Sequence, residues 1–193
     1  MNREEFLSRL AARPAGSHLP EEGVPPQRPA RSEDLPGAFR DAATATQSQV
    51  VQGDAATLSA ALRQFSHGTA ALAQDASELS RLLGDVEVLP QGSDPFAAAW
   101  GVSLADAGLA STGSACLRRE EGRSLLPSLV PPRAAIVVRV RELFWELGDY
   151  LAQAPSHGTV HVVSGPSRSA DIENDLSIGV HGPGEVLYLL WEE

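Results

Sequence analysis

Residues 49–89 read QVVQGDAATLSAALRQFSHGTAALAQDASELSRLLGDVEVL, and the alternation within them decides the fold class. Gln49 to Val51 is a brief apolar run that ends at Gly53. Asp54 is placed to cap a helix in which Leu58, Ala61, Leu62 and Phe65 recur at i, i+3, i+4 and i+7. Gly68 stops that helix, Thr69 to Ala73 reads as a strand, and Asp75 or Ser77 opens a second helix carrying Leu79, Leu82 and Leu83. Gly84 ends it, and Val86 to Leu89 is again strand-like. Strand, helix, strand, helix, strand is the pattern of a mostly parallel sheet with crossover helices, so the chain is expected to be α/β.

Towards the N-terminus, Ser32 is placed to cap a helix that begins Glu33-Asp34 and turns Leu35 and Phe39 inward. Five prolines between Pro14 and Pro29 impose an extended arm. Before it, Asn2 can cap a short helix with Phe6, Leu7 and Leu10 on one stripe. The expected division is therefore a helix and Pro-rich arm over 1–31 and a single α/β domain over 32–193. The arm is either a solvated linker or a reach across to a second copy in a homo-oligomer.

Towards the C-terminus, Pro95 to Trp100 suggests one helical turn, and Gly101 to Ala110 is an apolar run with Asp106 inside it. Ala115 to Leu117 is expected to pair back across the Ser111–Ser114 turn. Leu125 to Val130 runs into the Pro131-Pro132 break. Ala134 to Val140 is the clearest buried strand. Glu142 to Ala154 has the spacing of an amphipathic helix, with Leu143, Leu147, Tyr150, Leu151 and Ala154 inward. Val186 to Trp191 is expected to close the chain as an edge or antiparallel strand.

Composition narrows the chemistry. The 193 residues carry a net charge of -10, the wrong sign for a nucleic-acid partner. No apolar run approaches a membrane span and the first residues lack a secretory core, so a cytoplasmic location is expected. The single cysteine, Cys116, gives neither an internal disulfide nor the four thiolates an iron–sulfur cluster normally needs. All 15 basic residues are arginine, which excludes Schiff-base chemistry and a lysine-bearing phosphate loop. No histidine spacing suggests a metal, and no cofactor is expected on this chain.

The chemistry-bearing residues gather between Thr159 and Pro183. The strand Thr159-Val-His-Val-Val163 stops at Ser164-Gly-Pro-Ser-Arg-Ser-Ala-Asp-Ile-Glu173, and a second apolar run ends at His181-Gly-Pro183. Ser164, Gly165, Ser167 and Arg168 form a polar loop at a strand end. Its free amides and guanidinium suit a small anion such as a carboxylate or phosphate. Arg168 is the leading binding residue; its alternative role is a salt bridge to Asp171 or Glu173. Those two acids, at i and i+2, point apart and are poorly placed to work as an acid/base pair. His181, before Gly182, is either a proton shuttle or a turn histidine bonded to backbone. Upstream, Thr112, Gly113 and Ser114 either face a ligand or make an ordinary hairpin turn. Asp106, within apolar sequence, must be hydrogen-bonded or ion-paired, as an acid group or as a structural acceptor.

These two stretches, with Gly101-Val-Ser-Leu-Ala-Asp-Ala-Gly-Leu-Ala-Ser-Thr-Gly-Ser114 and Gly179-Val-His-Gly-Pro183, resemble the lactate utilization protein C family, the LUD-domain proteins. The resemblance is specific over about the last half of the chain. It implies the three-layer α/β/α fold shared with ribose-5-phosphate isomerases, glucosamine-6-phosphate deaminases and CoA transferases. It also implies a subunit of an L-lactate oxidation system that works with an iron–sulfur partner and holds lactate, pyruvate or a phosphate-like anion. The family pattern commonly has Glu where this chain has Ser111, so no general base is assigned there. Two other readings stand beside this one: an enzyme acting on a phosphorylated sugar or acyl thioester, and a non-catalytic scaffold.

Overall fold

Buried β-branched and leucine-rich segments form the centre of the molecule. In the computed structural model, the described residues are 30–120, 123–154, 158–170, 176–179 and 181–193. Five strands make one parallel sheet: β1 (Gln49–Gly53), β2 (Leu72–Ala73), β3 (Gly101–Leu104), β6 (Arg133–Arg139) and β11 (Glu185–Trp191), in the order β1-β11-β6-β3-β2. Parallel strands covered on both faces read as continuous apolar runs, and Ala134 to Val138 and Val186 to Leu190 are buried throughout. The chain is α/β with a mostly parallel sheet, as the alternation from Gln49 to Leu89 implies.

One face of the sheet packs on helix α2 (Ala55–Ser66) and the short α3 (Ser80–Leu83). Leu58, Leu62, Phe65, Leu79 and Leu82 meet Val102, Leu104, Val137 and Leu189 there. The other face packs on helix α1 (Leu35–Ala45) and a second sheet made of β7 (Leu143–Phe144), β4 (Ala107–Leu109), β5 (Ser114–Arg118) and β8 (Val160–Val163). Phe39 of α1 stands edge-on to Tyr188 of β11, with ring centroids 5.2 Å apart. Burying a side chain of that size contributes about 1.5–3 kcal/mol. A third pairing, β9 (Arg168–Ala170) with β10 (Leu176–Ile178), is antiparallel.

The second sheet is where local patterns mislead. Leu143, Tyr150 and Ala154 do recur at helical spacing, but Leu143 and Phe144 pair in parallel with β4 instead. The helix α4 covers only Leu147–Leu151, opened by a reciprocal cap between Glu146 and Asp149. Long-range pairing overrides the periodicity there. The closing strand is likewise corrected: β11 is neither edge nor antiparallel but sits between β1 and β6. The run Val86 to Leu89 contributes only a parallel bridge, Ala71 to Val88, on the outer side of β2. The cap of α1 is Asp34 rather than Ser32, with the Gly37 N–H donating to its carboxylate at 2.9 Å. Asp54 caps α2 as its sequence suggests, accepting from the Thr57 N–H at 2.9 Å.

Arg31–Glu193 forms one compact unit. The expected N-terminal helix and the Pro14–Pro29 arm lie outside the described residues. No helix of the described residues is long and apolar enough to cross a membrane.

Candidate functional site

Most of the residues singled out by the motifs meet at the junction between α1 and β1. The β4–β5 hairpin turns at Gly113, where φ is +59° and a Cβ would stand 2.1 Å from the Ala43 nitrogen. Only glycine fits, and the turn is thereby pressed onto the last turn of α1. Strand β5 pairs antiparallel with β8, Ala115 opposite Val163, so Ser114 and Ser164 lie side by side. The Ser114 hydroxyl is 2.8 Å from that of Ser164 and donates to the Thr112 hydroxyl at 2.9 Å. Ser114 is buried, whereas Thr112 and Ser164 are exposed, so three hydroxyls run from the interior to solvent.

Gly165 continues the line. Its φ is +87°, and a Cβ there would meet the hydroxyls of Thr46 at 2.6 Å and Ser48 at 2.9 Å. Its N–H donates to the Tyr188 hydroxyl at 3.0 Å, and that hydroxyl donates to the Val163 carbonyl at 2.8 Å. Burial in the sheet pushes the Tyr188 phenol well above its ordinary pKa, so it stays protonated and holds both bonds.

Arg168 is exposed, and its guanidinium donates to the Thr46 carbonyl and to the Gln47 side-chain oxygen. Thr46 is the C-cap of α1, so the positive charge sits at the negative end of the helix dipole. Ser167 joins the two motif stretches through its backbone: its N–H donates to the Pro183 carbonyl at 2.8 Å and its carbonyl accepts from Gly179 at 2.9 Å. A Cβ on Gly182 would lie 3.3 Å from the Ser167 Cβ. His181 is exposed, and Asp171 and Glu173 lie outside the described residues.

Thr46, Gln47, Ser48 and Tyr188 complete this centre and were not singled out from the sequence. The polar step Thr46-Gln-Ser48 between a helix and a strand was the available signal. Nothing local marked Tyr188, which sits in the middle of an apolar strand.

Asp106 belongs elsewhere, at the carboxyl end of β3. Its carboxylate accepts the Arg118 N–H at 2.7 Å and pairs with Arg123 at 2.8 Å, while Arg123 also donates to the Leu104 carbonyl at 2.6 Å. It is therefore a partnered acceptor that fastens β5 and the Arg123 segment to β3. Burial first, and then the Asp106 charge, pushes the Cys116 thiol up to about 11, so it is neutral and weakly reactive. Tyr150 is raised in the same way; its hydroxyl is buried with no partner among the described residues, and the residue lines a cavity of about 270 Å³ with Asp106 and Glu142. His161 is lowered by burial, as expected of a strand histidine.

Comparison with known proteins gives the family. Residues 49–191 match the LUD domain. This chain belongs to the LUD domain family. A lactate utilization protein C from an Exiguobacterium species is 30% identical over 221 residues, covering 98% of this chain and 95% of that protein. A protein of the same name from Bacillus velezensis is 29% identical over 233 residues, with the same coverage. Among solved structures, a DUF162 family protein from Deinococcus radiodurans superposes with a TM-score of 0.65 at 15% identity. It covers 85% of this chain and 100% of its own, and that likeness concerns the fold. The LUD domain match begins at β1, so α1 and the Thr46–Ser48 step lie outside it.

Proposed function

We propose that this LUD-domain chain is a subunit of an L-lactate utilization system, in which it holds lactate or pyruvate while an iron–sulfur partner takes the electrons. The observation that carries this reading is the nearly full-length similarity to proteins named lactate utilization protein C. The oxidation of lactate to pyruvate releases two electrons and two protons. With one cysteine in the sequence, the electron acceptor is assigned to clusters on the partner.

The Thr112 hydroxyl, which accepts from Ser114 and keeps its own proton, is the group of this chain assigned to the substrate carboxylate; Ser164 donates to Ser114 and so sets the direction of that chain of hydrogen bonds. Arg168, anchored on α1, supplies positive charge close to that line without entering it. A small carboxylate is favoured because a hydroxyl donor and a nearby guanidinium recognise its oxygens.

The test is a thermal-shift titration of the full chain with L-lactate and pyruvate, beside Ser164→Ala. Binding to the folded state raises the melting temperature by mass action. A shift that disappears in Ser164→Ala supports the reading. Equal shifts in both proteins, or a response to phosphorylated sugars or acyl thioesters alone, overturns it.

A further inference from the structure

The strand order of the parallel sheet reverses at one place. After β2 the chain adds the Val88 segment on the outer side of β2, then returns to lay β3 on its inner side and continues to β6 and β11. In open α/β sheets, the crevice beyond the carboxyl ends of the strands at such a reversal is where ligands are held. A cleft of about 540 Å³ lies beside this reversal, between the end of β2 and the Val88–Pro95 segment, within the size range of small-molecule sites. It shares none of the residues assigned above to lactate.

Gln74, the first residue beyond β2, lines this cleft and is 7% exposed. Its side-chain oxygen accepts the Leu104 N–H at 3.0 Å, bridging the carboxyl ends of β2 and β3. A backbone N–H can only donate, so this bond fixes the amide orientation and leaves Nε2 as the other end. That nitrogen is buried and has no partner among the described residues. Buried donors without an acceptor are rare in native folds, and the residue that carries this one lines the cleft.

Asp75 follows. Its Oδ1 accepts the Ser77 N–H at 2.9 Å, the Ser77 hydroxyl at 2.6 Å and the Glu78 N–H at 3.3 Å. Oδ2 carries no hydrogen bond among the described residues, and Asp75 lines the same cleft. The Ser77 hydroxyl holds the carboxyl below its ordinary range, so it is ionised at neutral pH. Val88, Leu89, Leu126 and Pro127 add apolar wall, and Gln91, Ser93 and Ser124 add further polar side chains at the rim. The polar groups thus offer a donor next to an anionic acceptor, between surfaces suited to a ring.

We propose that this cleft binds an uncharged heteroaromatic molecule that presents an acceptor beside an N–H donor, the acceptor to Gln74 Nε2 and the donor to the Asp75 carboxylate. An adenine edge and a ring-borne primary carboxamide share that chemistry. A carboxylate in the same position is rejected, because it lacks the donor and faces the Asp75 charge. The proposal goes beyond the lactate reading and does not depend on it.

The experiment is a titration of the ¹⁵N-labelled full chain with adenosine and with nicotinamide, following the Gln74 side-chain NH₂ resonances. Nicotinate, which replaces the carboxamide by a carboxylate, is the control. One or both uncharged probes are expected to shift the Gln74 signals, and which of them does so assigns the source of the edge. Nicotinate is expected to bind about tenfold or more weakly than nicotinamide, from the lost charge-assisted bond. Asp75→Asn keeps the Oδ1 acceptor for Ser77 while turning the other end into a donor. It is expected to weaken nicotinamide and to strengthen nicotinate. No movement of the Gln74 signals with either uncharged probe overturns the proposal. So does nicotinate binding as tightly as nicotinamide to the unmodified chain, or an unchanged preference in Asp75→Asn. Either outcome leaves the response to lactate at Ser164 to be read separately.

Discussion

The two ends of the parallel sheet are built on opposite principles. At the amino ends of β1 and β11, the motif residues are joined to one another: Ser114 to Ser164, Gly165 to Tyr188, Arg168 to the end of α1. At the carboxyl end of β2, the Gln74 amide is buried with one end unmatched among the described residues. The first region is held by glycines that nothing larger can replace. The second is held by a single side chain spanning two strands. Recognisable motifs therefore mark the region with the tighter assembly, while the unmatched donor is found in sequence that carries no motif at all.

Breaking the first region should show how much of the domain depends on it. Gly113→Ala is expected to have the largest effect. A Cβ 2.1 Å from the Ala43 nitrogen, on a residue at φ +59°, combines overpacking with left-handed strain. Together these cost about 2–4 kcal/mol, read as a lower midpoint of urea unfolding. Tyr188→Phe comes next. It strands the Gly165 N–H and the Val163 carbonyl, at a cost of about 1–3 kcal/mol, and should also abolish any lactate-dependent shift if Gly165 positions Ser164. Loss of stability with an unchanged lactate response would separate the packing role of Tyr188 from the site.

The carboxyl end should respond to acid instead. Hydrogen bonds lower the Asp75 pKa in the folded chain below its ordinary 3.8. A group lowered on folding contributes stability that is fully present above the unfolded value and is lost as pH falls through the folded one. A small contribution is therefore expected to hold down to about pH 3.8 and to fade below it, and Asp75→Asn should flatten that part of the stability-versus-pH curve. Smallest of all is Ser164→Ala, which removes an exposed hydroxyl and its bond to Ser114 and should cost about 1 kcal/mol or less. Its larger effect is expected in ligand response, which makes it a sensitive probe of the first region.

Much of this molecule was legible in its residues. The Leu58, Leu62 and Phe65 spacing produced α2, Asp54 capped it, and the Ser111–Ser114 turn paired β4 with β5. The two motif stretches do converge, Ser164 and Thr112 meeting through Ser114, although nothing in the residues alone paired them. What misled was any segment whose partner lay far away. Leu143-Phe144 has helical spacing but pairs with β4, and the final apolar run reads as an edge because its neighbours β1 and β6 are distant in sequence. Arg168 was legible as a cation at a strand end. Its attachment to Thr46 was not, since 122 residues separate them.

The α/β class, the net negative charge, the absence of lysine and the single cysteine follow from the sequence by itself, because periodicity and composition are local properties. Tertiary structure alone decided that β11 lies within the sheet, that Tyr188 holds Gly165, and that Gln74 bridges β2 and β3 through the Leu104 N–H. Each of those depends on hydrogen-bond partners brought together across the chain, and which donor finds an acceptor is settled only when the sheet is assembled.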